Sequence, residues 1–60
     1  MRKIGLTFKY EDEQNGEACG PAWAWYEDVD PPELFKDYGW MYLSDAKSLA
    51  EKEGFTFYED

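Results

Sequence analysis

Cys19 is the residue in this chain best suited to covalent chemistry, and nothing nearby equips it for the task. The 60 residues contain no His, and no Ser or Cys has a candidate base close by in sequence. The acids around Cys19 disfavour the thiolate that a reactive cysteine needs. Carboxylates are the one plentiful reactive group, with 14 Asp and Glu. Paired carboxylates hydrolyse glycosides, but they need a deep cleft, and so short a chain has little room for one. Glu27, Asp28, Asp30 and Glu33 form a run of oxygen ligands that invites a calcium reading. The helix–loop–helix calcium pattern fails, because Pro31 and Pro32 stand where its loop must curl. A weak, non-specific divalent-cation site is the most that remains. No phosphate-binding Gly-rich loop is present. The sequence therefore points to a protein that is not an enzyme, with no catalytic residue, no structural metal and no cofactor.

The chemistry these residues can do is recognition. Residues 11–37 hold nine acids: Glu11, Asp12, Glu13, Glu17, Glu27, Asp28, Asp30, Glu33 and Asp37. The one base in that stretch is Lys36. The other residues balance five acids against five bases, so the net charge of −8 belongs entirely to the middle of the chain. Polar loops can segregate charge without purpose. Here, however, Trp23, Trp25 and Tyr26 lie inside the acidic stretch. Exposed Trp and Tyr beside acids are the composition of interface hot spots. These nine acids and three aromatics are the candidate partner-binding residues.

Several elements must position them. Residues 3–10 alternate, with Ile4, Leu6, Phe8 and Tyr10 on one face, as in a half-buried strand. Residues 11–21 read as a loop carrying the turn signals Asn15-Gly16 and Gly20-Pro21. Its length argues for an extended, mobile tip over a tight hairpin. Residues 22–29 read as a second strand, with Trp23 and Trp25 on one face and Ala22, Ala24 and Tyr26 on the other. Asp30-Pro31-Pro32-Glu33 reads as a helix start, with Asp30 as N-cap, Pro31 at N1 and Glu33 at N3. The short helix would span about 31–38 and end at Gly39. Residues 40–43 suggest a strand, and Ser44 an N-cap for a second helix over about 44–54. In that helix Ala46, Leu49 and Ala50 make one apolar stripe, and Gly54 closes it. Residues 55–58 form a last strand. The expectation is a single α+β domain spanning 1–60. It would have a three- or four-stranded, mostly antiparallel sheet, with the 44–54 helix on one face.

A chain this short buries only about 60% of its unfolded surface, so it is marginally stable. One Cys and no His allow neither an internal disulfide nor a structural zinc site. Stability must come from the twelve aromatics, each able to bury roughly 150–250 Å². Their 20% share also argues against disorder. Twelve are more than one small core face can cover. Some of Trp23, Trp25, Trp40, Tyr26, Tyr42 and Tyr58 should then lie on an open face, unless the 31–38 helix covers it. Arg2 and Lys3 are not followed by an apolar leader run, and no stretch approaches the roughly 20 apolar residues of a membrane span. With Met1 at the start and a lone Cys, the expectation is an intact cytoplasmic protein.

An acidic chain repels nucleic acid and anionic membranes, so the expected partner is a basic protein surface. The commonest such surfaces belong to nucleic-acid-handling proteins. A short acidic α+β chain with the helix start Leu43-Ser44-Asp45-Ala46-Lys47-Ser48-Leu49-Ala50 resembles small phage-encoded inhibitors of the anti-CRISPR and anti-restriction type. The resemblance is to a class and carries over no functional residues. It implies a stoichiometric inhibitor acting as a nucleic-acid mimic in the host cytoplasm. The alternatives are an assembly module that self-associates through an exposed aromatic strand, and a weak cation-binding protein.

Overall fold

The computed structural model describes residues 3–60. The order is β1 (Ile4–Phe8), β2 (Asp12–Gln14), β3 (Glu17–Tyr26), β4 (Glu33–Tyr42), α1 (Leu43–Glu53) and β5 (Thr56–Glu59). The protein is α+β, with one helix packed on a mixed sheet of five strands instead of three or four. β3 is the central strand. One of its edges pairs with β1 and β2, and the other pairs antiparallel with β4 from Cys19 to Tyr26. β5 pairs with β1 in parallel, Gly5 opposite Thr56 through Phe8 opposite Glu59.

β1 and β2 line the same edge of β3 with a kink between them. Phe8 pairs with Ala22 and Asp12 with Cys19, so one extra residue is carried between the two strands. The Lys9 and Glu11 amides still donate to Pro21 and Cys19, at 3.0 and 3.1 Å. Gly20 lies under this bulge, where a Cβ would stand 1.8 Å from the Lys9 carbonyl oxygen.

Residues 11–21 are not a mobile loop. β2 and β3 form a tight hairpin, with Gln14 opposite Glu17 and Asn15-Gly16 as its two-residue turn. Both turn residues have positive φ, 54° and 78°, as the twist of a tight hairpin demands.

The expected helix at 31–38 is also absent, and residues 33–42 form β4 instead. Asp30 and Pro31 each precede a proline, which pushes them towards extended backbone. Asp30 thus initiates no helix. Beyond them, Phe35, Tyr38, Trp40 and Tyr42 prefer strands. Two bulges hide the alternation: Phe35 and Tyr38 are skipped in the pairing with β3. Gly39, at φ 75°, lies inside the strand and ends no helix.

α1 matches its expected span to within one residue. Its N-cap is Tyr42, which makes no side-chain capping bond. Ser44 is not the cap; its hydroxyl donates to Glu17 Oε1 at 3.0 Å. Gly54 closes the helix at φ 76°, with its N–H on the Ala50 carbonyl. The buried core is Leu6, Phe8, Ala22, Ala24, Ala46 and Ala50, with Leu49, Met41, Phe55 and Phe57 packed around it. The paired alanines let the helix lie close to the sheet. Full burial of Leu6 and Phe8 stabilises the fold by roughly 1.5–3 kcal/mol each.

Candidate functional site

One face of the sheet carries α1. The residues expected to form a helix over the other face instead widen the sheet as β4. No element covers that face among the described residues.

Strand parity and pairing decide what it displays. Trp23 and Trp25 project from β3 on the side away from Ala22 and Ala24. Their pairing partners share that side. These are Thr7 and Gly5 on β1, and Asp37 and Leu34 on β4. Trp40, opposite Pro21, and Tyr58, opposite Thr7, belong to the same face. Leu34 is 62% exposed, Trp40 58% and Tyr58 40%. Trp23 and Trp25 are half-buried. The result is an open face on which apolar side chains from β3, β4 and β5 gather, with Thr7 and Asp37 set among them.

Part of this surface is fixed by polar contacts. The Trp25 indole N–H donates to Thr7 Oγ1 at 2.8 Å. The Trp25 ring stacks on Tyr58, centroids 5.6 Å apart. The Tyr58 hydroxyl donates to Glu27 Oε1. Lys3 Nζ lies 3.7 Å from Glu27 Oε2, an oxygen with no hydrogen-bond partner. The hydrogen bond to Glu27, helped by burial and by the carboxylate's charge, holds the Tyr58 hydroxyl above the usual tyrosine pKa. Gly5 permits this arrangement, since a Cβ there would stand 2.8 Å from the Tyr58 ring and 2.9 Å from Glu27 Oε1. Between β3 and the start of β4 lies an open groove of about 400 Å³, lined by Thr7, Trp23, Trp25, Pro32, Glu33 and Leu34.

The acids are not brought into one patch. Glu11, Asp12, Glu13 and Glu17 cluster at the β2–β3 hairpin. Glu27, Asp28, Asp30 and Glu33 lie at the other end of β3, which is roughly 30 Å long at 3.3 Å per residue. Asp37 sits between them, opposite Trp23. Glu27 differs from the rest, because its side chain is only 8% exposed and is engaged by Tyr58 and Lys3. Asp28, Asp30, Glu33 and Asp37 are exposed. Among the described residues, no three Asp, Glu or Cys side chains come together in a way that could hold a metal ion.

No protein-family model, curated protein or solved structure matches the chain. Among the described residues, no helix is long and apolar enough to cross a membrane. The face must therefore be read from its own chemistry.

Tyr26 does not join Trp23 and Trp25. It lies on the helix side, edge-on to Phe35 at 5.4 Å, and Phe35 meets Phe55 in turn at 6.2 Å. Cys19 is buried. Leu34, Trp40, Tyr58, Thr7 and Pro32 are members of the face that sequence reasoning did not name as site residues, although Trp40 and Tyr58 were among the aromatics expected on an open face. Leu34 and Trp40 are six residues apart, a period-two spacing consistent with a shared face, but the intervening bulges and Asp30-Pro31-Pro32-Glu33 mask it.

Proposed function

We propose that this is a non-enzymatic protein-binding domain. It acts as a stoichiometric inhibitor that docks its open sheet face on a basic, nucleic-acid-binding protein surface. The observation that carries the reading is the uncovered face of Trp23, Trp25, Leu34, Trp40 and Tyr58, flanked by exposed acids at both ends. Large exposed apolar patches rimmed by polar groups mark interaction sites, and Trp and Tyr anchors dominate their energetics. The acids supply steering and partner choice. Two acidic ends about 30 Å apart suit an elongated groove, about the length of nine nucleotides of one duplex strand. On this reading the protein works in the cytoplasm, as phage-encoded inhibitors of defence and transcription enzymes do.

The test is capture from a bacterial lysate by the immobilised protein at low and high salt, with a variant carrying Asp28→Lys, Asp30→Lys and Glu33→Lys. Glu27 is spared because it is internal. Capture should weaken by at least tenfold in the variant and fall as salt rises, since steering charges are screened within about 10 Å at 0.1 M. Salt-independent capture, or full capture by the folded variant, contradicts the reading.

A second reading, self-association, rests on the outer edge of β4, to which no strand pairs among the described residues. The bulges at Phe35 and Tyr38 and the charge of Lys36 blunt that edge. A concentration-dependent dimer in light scattering would favour self-association, and a clean monomer would remove it.

A further inference from the structure

We infer that the groove beside Trp23 and Trp25 receives a single arginine side chain from the partner. This rests on the docking reading and says which atom group occupies its centre. The groove lies on the open face, and its walls are two indoles, Leu34 and Pro32. These suit an aliphatic stem and a flat, delocalised cation. Arginine combines both, and its guanidinium stacks on aromatic faces. Glu33, an exposed acid at the start of β4, is among the residues lining the same groove. Its carboxylate, swung over that rim, would accept the paired N–H donors that a guanidinium presents and an ammonium cannot match. Asp28 and Asp30, exposed in the connection to β4, add negative potential at that end. Anionic occupants are disfavoured by this field and by the net charge of −8.

The groove is held ready before binding. Trp25 is fixed by its hydrogen bond to Thr7 and its stack on Tyr58, so its ring need not be ordered when a ligand arrives. Leu34, at 62% exposed, has most of its surface left to cover.

The experiment is an NMR titration of the whole labelled chain with a capped Gly-Arg-Gly peptide. The same peptide with citrulline is the control, matching arginine in shape without its charge. The arginine peptide should shift the Trp23 and Trp25 indole signals and the Leu34 amide saturably. Citrulline should bind at least tenfold more weakly, and so should a lysine peptide bind more weakly than arginine. Glu33→Gln should erase most of the arginine preference, and Leu34→Ala should weaken both peptides. Both changes are at exposed positions, and a thermal melt confirms the fold. Equal binding of arginine and citrulline peptides overturns the inference. So do shifts confined to the hairpin acids, or no shifts at millimolar peptide. If these negative results accompany salt-sensitive lysate capture, the docking reading stands and only the arginine assignment falls. If capture also fails, both fall.

Discussion

Replacing Gly20 with Ala tests the close packing of β3 under the bulge between β1 and β2. The added Cβ would stand 1.8 Å from the Lys9 carbonyl oxygen and 3.0 Å from its carbon. Ordinary contact requires about 3.5 Å, so backbone must move by roughly 1.7 Å. Gly20 does not occupy the left-handed region, so the penalty is steric and not conformational. The displaced segment carries the Lys9 and Glu11 amide bonds to Pro21 and Cys19. Losing both hydrogen bonds and forcing the backbone apart together cost about 3–5 kcal/mol. At roughly 0.05–0.15 kcal/mol per residue, the whole chain has about 3–9 kcal/mol to lose. Thermal unfolding followed by circular dichroism should fall by about 12 °C or more, at 4–8 °C per kcal/mol. Gly5→Ala is the comparison, because its Cβ meets only the Tyr58 ring and the Glu27 carboxylate, side chains that can swing aside. It should cost about 1–2 kcal/mol. A Gly20→Ala protein melting within about 4 °C of the parent would refute the bulge geometry.

Two further substitutions probe local structure. Ser44→Ala should cost under about 0.5 kcal/mol in urea unfolding, because Ser44 is not the N-cap; a loss near 1 kcal/mol, typical of a capping Ser, would contradict this. Tyr58 gives a pH test. Its pKa is raised in the native state, so its contribution is full below about pH 10, where both states keep the proton. Above that the unfolded chain loses the proton first, and stability falls as pH rises through the native value. Alkaline unfolding of the parent should therefore be steeper between about pH 9 and 11 than that of Tyr58→Phe, and equal slopes would count against the Tyr58–Glu27 bond.

The parts of the fold legible in the sequence were those governed by local period. Ile4, Leu6 and Phe8 alternate without interruption, and Ala46, Leu49 and Ala50 repeat at helical spacing. Gly54 marks its helix end by the conformation only glycine adopts easily. β4 was illegible for two reasons. Asp30-Pro31-Pro32-Glu33 imitates a capped helix start, and the bulges at Phe35 and Tyr38 break the alternation twice in ten residues. The Asn15-Gly16 turn carried its signal, but Asp12-Glu13-Gln14 contains no strand-forming residue to support it. For the site, the shared face of Trp23 and Trp25 followed from parity alone. The inward turn of Glu27 did not, because it depends on Gly5 and on Tyr58 arriving from the far end of the chain on β5.

The central claim is that recognition uses the sheet face opposite the helix. Its most direct test compares lysate capture by the parent, by a Leu34→Ser, Trp40→Ser double variant and by a Lys47→Glu, Glu51→Lys variant on exposed helix positions, all checked for folding. Leu34 and Trp40 are 62% and 58% exposed, so their loss should leave the fold intact. The account predicts that the sheet-face variant loses its captured partner and the helix variant keeps it. Retention by the folded sheet-face variant, with loss in the helix variant, would contradict it.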